Sequence, residues 1–302
     1  LLIFTHALHG ARLRCNRRLE DLPLVLGNLD EDLCLDLQFA DAAPKHAWSL
    51  PWAPPGLDCR IEPTPKLTLH VISSTAESET IGLLCSTLLP SMLSSTGALV
   101  LRGAAVLGPE GALLLIGGAM AGKSTAAAAL ASQGLPVISD DVLVLRLVDG
   151  KVQVAEGPRW IKLWPDGAAL GKALGAPLGP VRAGLGKQRY RCPEVPRPAD
   201  ASANDDPHTR QVRVARVCLL NPSDVQAATA SPIGSTPLLA ALSDFQRSPI
   251  APMTIGAKVA QFQTLCALSR LPRPLVVQRP SELPLRADYA AHLHNLLDEG
   301  GA

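Results

Sequence analysis

The sequence predicts an α/β core behind a mostly β N-terminal region, with the boundary between residues 95 and 96. Three observations carry this. A continuous apolar run, Ala112–Ile116, leads directly into a glycine-rich loop and then an Ala-rich stretch, the order strand, loop, helix. Two more strand-like runs follow at Leu135–Ile138 and Val142–Leu147, completing the spacing of a βαβ unit. Residues 1–95 carry short apolar runs punctuated by Pro, Gly and Asp, a pattern of strands and turns.

In chain order, the runs Leu24–Leu26, Leu33–Leu37 and Leu67–Ile72 are expected strands, with Pro51, Pro54, Pro55, Pro63 and Pro65 breaking the middle into loops. Apolar residues at 81, 84, 88 and 92 have helical spacing and predict a helix over Ile81–Leu93. Ala98–Leu101 and Ala104–Leu107 read as two short strands around Arg102-Gly103, and Gly108-Pro109-Glu110-Gly111 as a turn. The strand Ala112–Ile116 has no polar face, as expected for a strand buried on both sides. The helix after it should run from Ser124 to about Ser132 and stop at Gly134. Residues 155–195 read as loop-rich, with a basic cluster of Arg182, Lys187, Arg189 and Arg191. Residues 197–210 have almost no apolar content and read as a mobile loop. Val212–Leu220 returns to strand, and helices are expected over 237–245, 256–269 and 281–298.

Composition narrows the function classes. The chain has 302 residues, enough for two domains at about 150 residues each. A hydrophobic fraction of 47% against 18% charged residues excludes a largely disordered chain. A net charge of +1 offers no field for nucleic acid or an anionic membrane, and ten aromatic residues are too few for a base-stacking platform. The mean hydropathy of +0.18 is high for a soluble protein. The most apolar stretch, 97–116, is interrupted by Arg102, Pro109 and Glu110, so no membrane span is expected. The N-terminal Leu1–Phe4 is too short for a signal-peptide core, and the expectation is a soluble, cytoplasmic protein. Seven widely spaced cysteines without a C-x-x-C read as free thiols. The pairs His6/His9 and His292/His294 lack the companion ligands of a metal site.

One motif carries chemistry. Gly117-Gly118-Ala119-Met120-Ala121-Gly122-Lys123-Ser124 fits G-x-x-x-x-G-K-[ST], the phosphate-binding P-loop. Its glycines let successive backbone N–H groups turn toward an anion, and the following helix adds its free N–H groups and positive dipole end. Residues 117–125, Thr125 included, are the expected cradle for the phosphates of ATP. Lys123 supplies a cation for the β- and γ-phosphates, and Ser124 a hydroxyl for Mg²⁺. Asp140 and Asp141 follow the next strand, 16 and 17 residues after Ser124. One carboxylate can hold the metal ion while the other accepts a proton from an attacking hydroxyl. The working assignment gives Mg²⁺ to Ser124 and Asp141 and the proton to Asp140.

With these motifs and their flanking strands, residues 97–147 resemble the core of HPr kinase/phosphorylase, and more closely its stand-alone relatives with an N-terminal β domain. The segment Arg159–Asp166, a lysine at the place of Lys187, and the opening residues around His9-Gly10 and Asp21–Leu24 are also similar to those relatives. Some of them resemble kinases that phosphorylate the C-terminal residue of lasso-peptide precursors. The resemblance implies a β-rich domain over 1–95 and an HPr-kinase-like P-loop domain over 96–302. It implies an ATP- and Mg²⁺-dependent serine kinase whose partner is a peptide or small protein carrying the acceptor serine. It also suggests a homo-oligomer, which no heptad pattern supports. Lys187 and its basic neighbours would clamp the leaving nucleotide or a terminal carboxylate. One departure stands out: Arg102 occupies the place where the family commonly carries a histidine. An arginine cannot take up and return a proton near neutral pH, which speaks against reverse phosphorolysis. It is either a site residue, pairing with Asp140 or a phosphate, or a surface residue at a strand end. The alternatives to a peptide kinase are an HPr-type regulatory kinase/phosphorylase acting on a carrier protein, or a nucleotide-gated binding module without transfer chemistry.

Overall fold

The structure is a computed structural model. It describes six backbone strands within 4–73, then residues 81–181, 184–195, 211–225, 228–247, 253–280, 290–291 and 293–295. The expectations for Leu24–Leu26, Arg182, the 197–210 loop, His292 and residues 281–289 lie outside the described residues.

The N-terminal strands are β1 (Phe4–Leu8), β2 (Ala11–Cys15), β3 (Cys34–Phe39), β4 (Trp48–Ser49), β5 (Leu57–Glu62) and β6 (Thr68–Ser73). They form one sheet in the order β1-β2-β3-β6-β5-β4, with β3 parallel to both β2 and β6. The predicted strands at 33–37 and 67–72 are β3 and β6.

The chain is then helical from Ile81 to Ser95, widened to a π-turn over Leu84–Leu88 before the α-helix α1 (Leu89–Ser95). Pro90 has no N–H for the carbonyl four residues back, and the wider turn falls just before it. Its apolar face is buried, including Ile81, Leu88 and Met92.

The large mixed sheet comprises β7 (Leu99–Gly108), β8 (Gly111–Ile116), β9 (Val137–Ser139), β10 (Val142–Val148), β11 (Lys151–Ala155), β15 (Gln211–Ser223), β16 (Thr229–Pro232) and β17 (Leu275–Pro280). Its order is β11-β10-β7-β8-β15-β17-β16, with β9 also on β7. β11 turns back to pair with the start of β15, so that end of the sheet closes on itself. The two runs expected around Arg102-Gly103 are one ten-residue strand, β7. Gly103 does not break it, because the glycine lets Leu143 and the Leu115 carbonyl close in on both sides. Arg102 is the strand's one exposed residue.

Helix α2 (Lys123–Ser132) connects β8 to β9 and ends at Gly134, which has φ +95°. β8 and β9 are both antiparallel to β7, so they point the same way with β7 between them. The predicted strand–helix–strand unit is therefore a crossover split by one strand. It brings the loop after β8 and the turn after β9 to the same end of the sheet, where ligands of α/β sheets bind. Alternate residues of β8 feed two cores. Leu113 and Leu115 pack with Ala126–Leu130 of α2, while Leu114 and Ile116 pack with α4 (Ser235–Asp244) and α5 (Ile255–Ser269). Helices α4 and α5 match the expected 237–245 and 256–269, and Thr254 Oγ1 caps α5 by accepting from Ala257 N at 3.1 Å.

The loop-rich expectation for 155–195 is corrected. This stretch holds β12 (Trp160–Leu163), a 3₁₀ turn at Pro165–Gly167, α3 (Ala168–Leu174), β13 (Pro177–Pro180) and β14 (Gln188–Arg191). The strands form a separate sheet in the order β12-β14-β13. Gly171 of α3 lies so close to the Tyr190 ring that a Cβ would stand 2.5 Å from it, and this packing ties the helix to β14. Cys192 and Cys218 are buried free thiols, their pKa values pushed up to about 12 by that burial. Among the described residues no helix is long and apolar enough to cross a membrane.

Candidate active site

The site sits where β8 and β9 end. The loop 117–122 is shaped by two glycines. A Cβ on Gly117 would lie 2.6 Å from the Leu220 carbonyl oxygen, and Gly122 holds φ +79° against the Arg279 guanidinium. Gly118 has open space around it. Gly122 is also the N-cap of α2 and offers no side chain to its first turn. The first N–H groups of α2 are therefore left without a side-chain acceptor, at the positive end of the helix. Lys123 Nζ folds back and donates to the carbonyls of Gly117 at 3.0 Å and Gly118 at 2.6 Å. Burial lowers its pKa against the pull of Asp140 and Asp141.

The turn after β9 separates the two carboxylates. Ser139 Oγ donates to the Val142 carbonyl at 2.7 Å, closing a turn in which Asp141 takes φ +75°. Asp140 points inward and is 5% exposed. Its Oδ1 accepts from Ser124 Oγ at 2.7 Å and its Oδ2 from the Lys162 backbone N–H at 2.8 Å. Burial, together with the charge of Asp141, raises the Asp140 pKa in spite of these two donors. Asp141 faces the cavity and pairs with Lys162 Nζ at 2.9 Å. Burial pushes Asp141 up, but the Lys162 charge and hydrogen bond outweigh it, helped by Arg247 and Lys187, and its pKa is lowered. Lys162 Nζ also donates to Ser86 Oγ in the π-turn.

A cavity of about 260 Å³ opens over these groups. Its walls include Ala119, Met120, Gly122, Lys123, Ser124 and Thr125 from the loop and α2, Asp141 and Lys162, and Arg102 from β7. Leu163, Trp164, Asp166, Lys187 and Arg279 complete them. Lys187 Nζ lies 5.9 Å from the centre of the Trp164 ring. Of the expected site residues, then, Arg102, Lys187, Asp141 and the loop share one cavity, and Asp140 lies just beneath it. Gly117, Gly118 and Ala121 belong to the loop but not to the cavity wall. The basic cluster does not act together: Arg189 is fully buried, 5.3 Å from the Trp160 ring centre, while Arg191 is exposed. Among the described residues the Arg102 guanidinium makes no hydrogen bond or ion pair, so it does not pair with Asp140.

Two residues were not singled out by their sequence positions. Arg279, at 4% exposure, donates from Nε to the Ala121 carbonyl at 2.8 Å and from Nη2 to the Met120 carbonyl at 2.9 Å, bracing the loop from behind. Lys162 serves both carboxylates, through its backbone and its ammonium. Its only local signal is a lysine between Ile161 and Leu163 in an apolar strand.

Among the described residues no group of three or more His, Cys, Asp or Glu could hold a metal ion. The oxygen pair of Ser124 and Asp140 nonetheless fits Mg²⁺, which takes one or two protein ligands and fills its remaining positions with water and phosphate oxygens.

No protein-family model matches the chain, and no curated protein matches it. Among solved structures it is similar to the HPr(Ser) kinase/phosphatase from Coxiella burnetii, at 9% identity and a TM-score of 0.29 over 66% of this chain and 88% of that one.

Proposed function

We propose that the chain is an ATP-dependent kinase that transfers the γ-phosphoryl group to a hydroxyl of a peptide. The acceptor put first is the C-terminal serine of a lasso-peptide precursor, on the strength of the sequence resemblance alone. The observation that carries the kinase reading is the Ser124–Asp140 hydrogen bond beside Lys123 and the uncapped start of α2. A hydroxyl, a carboxylate, an ammonium and free N–H groups converge there, the donor set a metal–triphosphate needs.

Loop N–H groups and the start of α2 hold the β- and γ-phosphates, and Lys123 trades its two loop carbonyls for phosphate oxygens. Ser124 and Asp140 would hold Mg²⁺, which when bound neutralises charge developing on the β- and γ-phosphates. This exchanges the carboxylate roles expected from the sequence. The hydrogen bonds favour the exchange, because both Asp140 oxygens face Ser124 and Lys162 N while Asp141 faces the cavity. Asp141, kept ionised by Lys162, accepts the proton of the acceptor hydroxyl. That oxygen bonds to the γ-phosphorus as the bond to the β–γ bridging oxygen breaks, and ADP leaves.

The test is intact-mass spectrometry after incubation with ATP and Mg²⁺. The substrates are a lasso-type precursor ending in serine and an HPr-like carrier protein. One phosphate on the terminal serine, absent with Lys123→Ala, is the expected result. Modification of the carrier alone would move the chain to the regulatory branch, and transfer to neither with ATP bound would favour a nucleotide-gated module. Asp141→Asn should keep Mg²⁺-ATP binding and lower transfer by about 10². Asp140→Asn should chiefly shift the Mg²⁺ dependence, and the opposite pattern would return the roles to the sequence assignment.

A further inference from the structure

We infer that Arg102 and Arg247 form a second anion site beside the phosphate cradle, one that holds a carboxylate or phosphate borne by the acceptor. That an acceptor brings the anion rests on the kinase reading; the anion site itself does not.

The first half of β7 is paired with β10 on one edge and with the short segment 245–247 on the other. Arg102 N donates to the Phe245 carbonyl at 3.0 Å, Arg247 N donates to the Val100 carbonyl at 2.8 Å, and Leu101 bridges Gln246. In an antiparallel pair, residues two apart share a face with the residues opposite them. Val100, Arg102, Phe245 and Arg247 therefore share one face, which brings the two arginines to adjacent, diagonal positions. Arg102 lines the cavity together with Asp141, and Gly103 N donates to the Asp141 carbonyl at 3.4 Å.

The two guanidiniums are not neutralised locally. Neither has an ion pair among the described residues, and Arg247 Nε is buried without a hydrogen-bond partner there. Asp141, the carboxylate that attracts Arg247, is already engaged by Lys162 Nζ at 2.9 Å. The Arg247 pKa is lowered first by burial and then by Arg102, against the pull of Asp141. A guanidinium is a planar, forked donor that carboxylate and phosphate oxygens match, and the register sets two of them on one face at diagonal positions. An anion carried there would set the acceptor hydroxyl beside Asp141.

The experiment titrates inorganic phosphate and glycolate into the full chain by calorimetry. It is run on the chain alone and on the chain saturated with Mg²⁺ and a non-hydrolysable ATP analogue. With the cradle filled, the wild type should still bind one anion. Arg247→Ala and Arg102→Ala should each weaken that binding at least about tenfold, the scale of one lost charge-assisted hydrogen bond. Arg247→Lys, which keeps the charge and the packing, should retain part of it, and the analogue should bind Arg247→Ala as it binds the wild type. A preference for phosphate or for glycolate identifies which anion the acceptor carries. Anion binding absent from the filled wild type, or unchanged in Arg247→Ala, overturns the proposal. Failure of the analogue to bind at all would overturn the kinase reading instead. The Arg247→Ala comparison on the chain alone would then still decide the anion site.

Discussion

Replacing Gly122 by alanine tests how the loop is held. Gly122 has φ +79°, and an added Cβ would stand 2.7 Å from Nε, 2.8 Å from Cζ and 2.9 Å from Nη2 of Arg279. That guanidinium is buried and bonded to the Ala121 and Met120 carbonyls, so moving it aside disturbs those bonds. The left-handed backbone costs an alanine about 1–2 kcal/mol. Displacing one charge-assisted hydrogen bond adds about 1.5–3 kcal/mol. The sum is roughly 2.5–5 kcal/mol, a fall in Tm on the order of 10 °C for a domain of this size. Gly118→Ala is the internal control: nothing stands within 4 Å of its Cβ, so the change should stay within about 0.5 kcal/mol. Thermal unfolding followed by circular dichroism measures both. Equal melting temperatures for the two variants would refute the claim that Arg279 and the Gly122 backbone fix the loop.

Two further predictions concern stability. Asp140 has a raised pKa in the fold, so the native state binds a proton that the unfolded chain, at the ordinary 3.8, has already released. Stability therefore falls as pH rises from that value through the raised one, and the cost persists at neutral pH. Asp140→Asn should melt no lower than the wild type at pH 7, with any advantage shrinking as the pH is taken down toward 4; a melting temperature well below wild type at pH 7 would contradict this. Gly103→Ala should cost about 1–3 kcal/mol in urea unfolding by overpacking, because its Cβ would meet Leu143 Cδ1 at 2.5 Å and the Leu115 carbonyl oxygen at 3.0 Å.

What the sequence made legible is what lies close together along the chain. The loop 117–124, the helix after it and the acidic pair are a local pattern with a local physical cause, and the structure brings them to one end of the sheet. The split of the crossover by β7 could not be seen, because strand–helix–strand spacing is the same whether the two strands touch or have a third between them. Arg102-Gly103 read as a break because glycine usually weakens a strand. Here Gly103 is needed for the close approach of Leu143. Arg279 and Lys162 were illegible as site residues because their partners are 158 and 22 residues away, across strands whose pairing only the fold supplies. The β12-β14-β13 sheet was hidden by its short strands and its glycines and prolines. Which carboxylate faces the cavity was equally hidden, since it depends on the positive φ of Asp141.

The central claim is that residues 117–124 with Asp140 form a cradle for a metal–nucleoside triphosphate. Isothermal titration of ATP into the wild type and Lys123→Ala, with and without Mg²⁺, tests it most directly. The account predicts saturable, Mg²⁺-strengthened binding to the wild type and its loss in Lys123→Ala. The variant loses two ammonium–carbonyl bonds in the loop, so an unchanged far-ultraviolet circular dichroism spectrum at the titration temperature is the control that it is folded. No binding to the wild type, or equal binding to the variant, would contradict it.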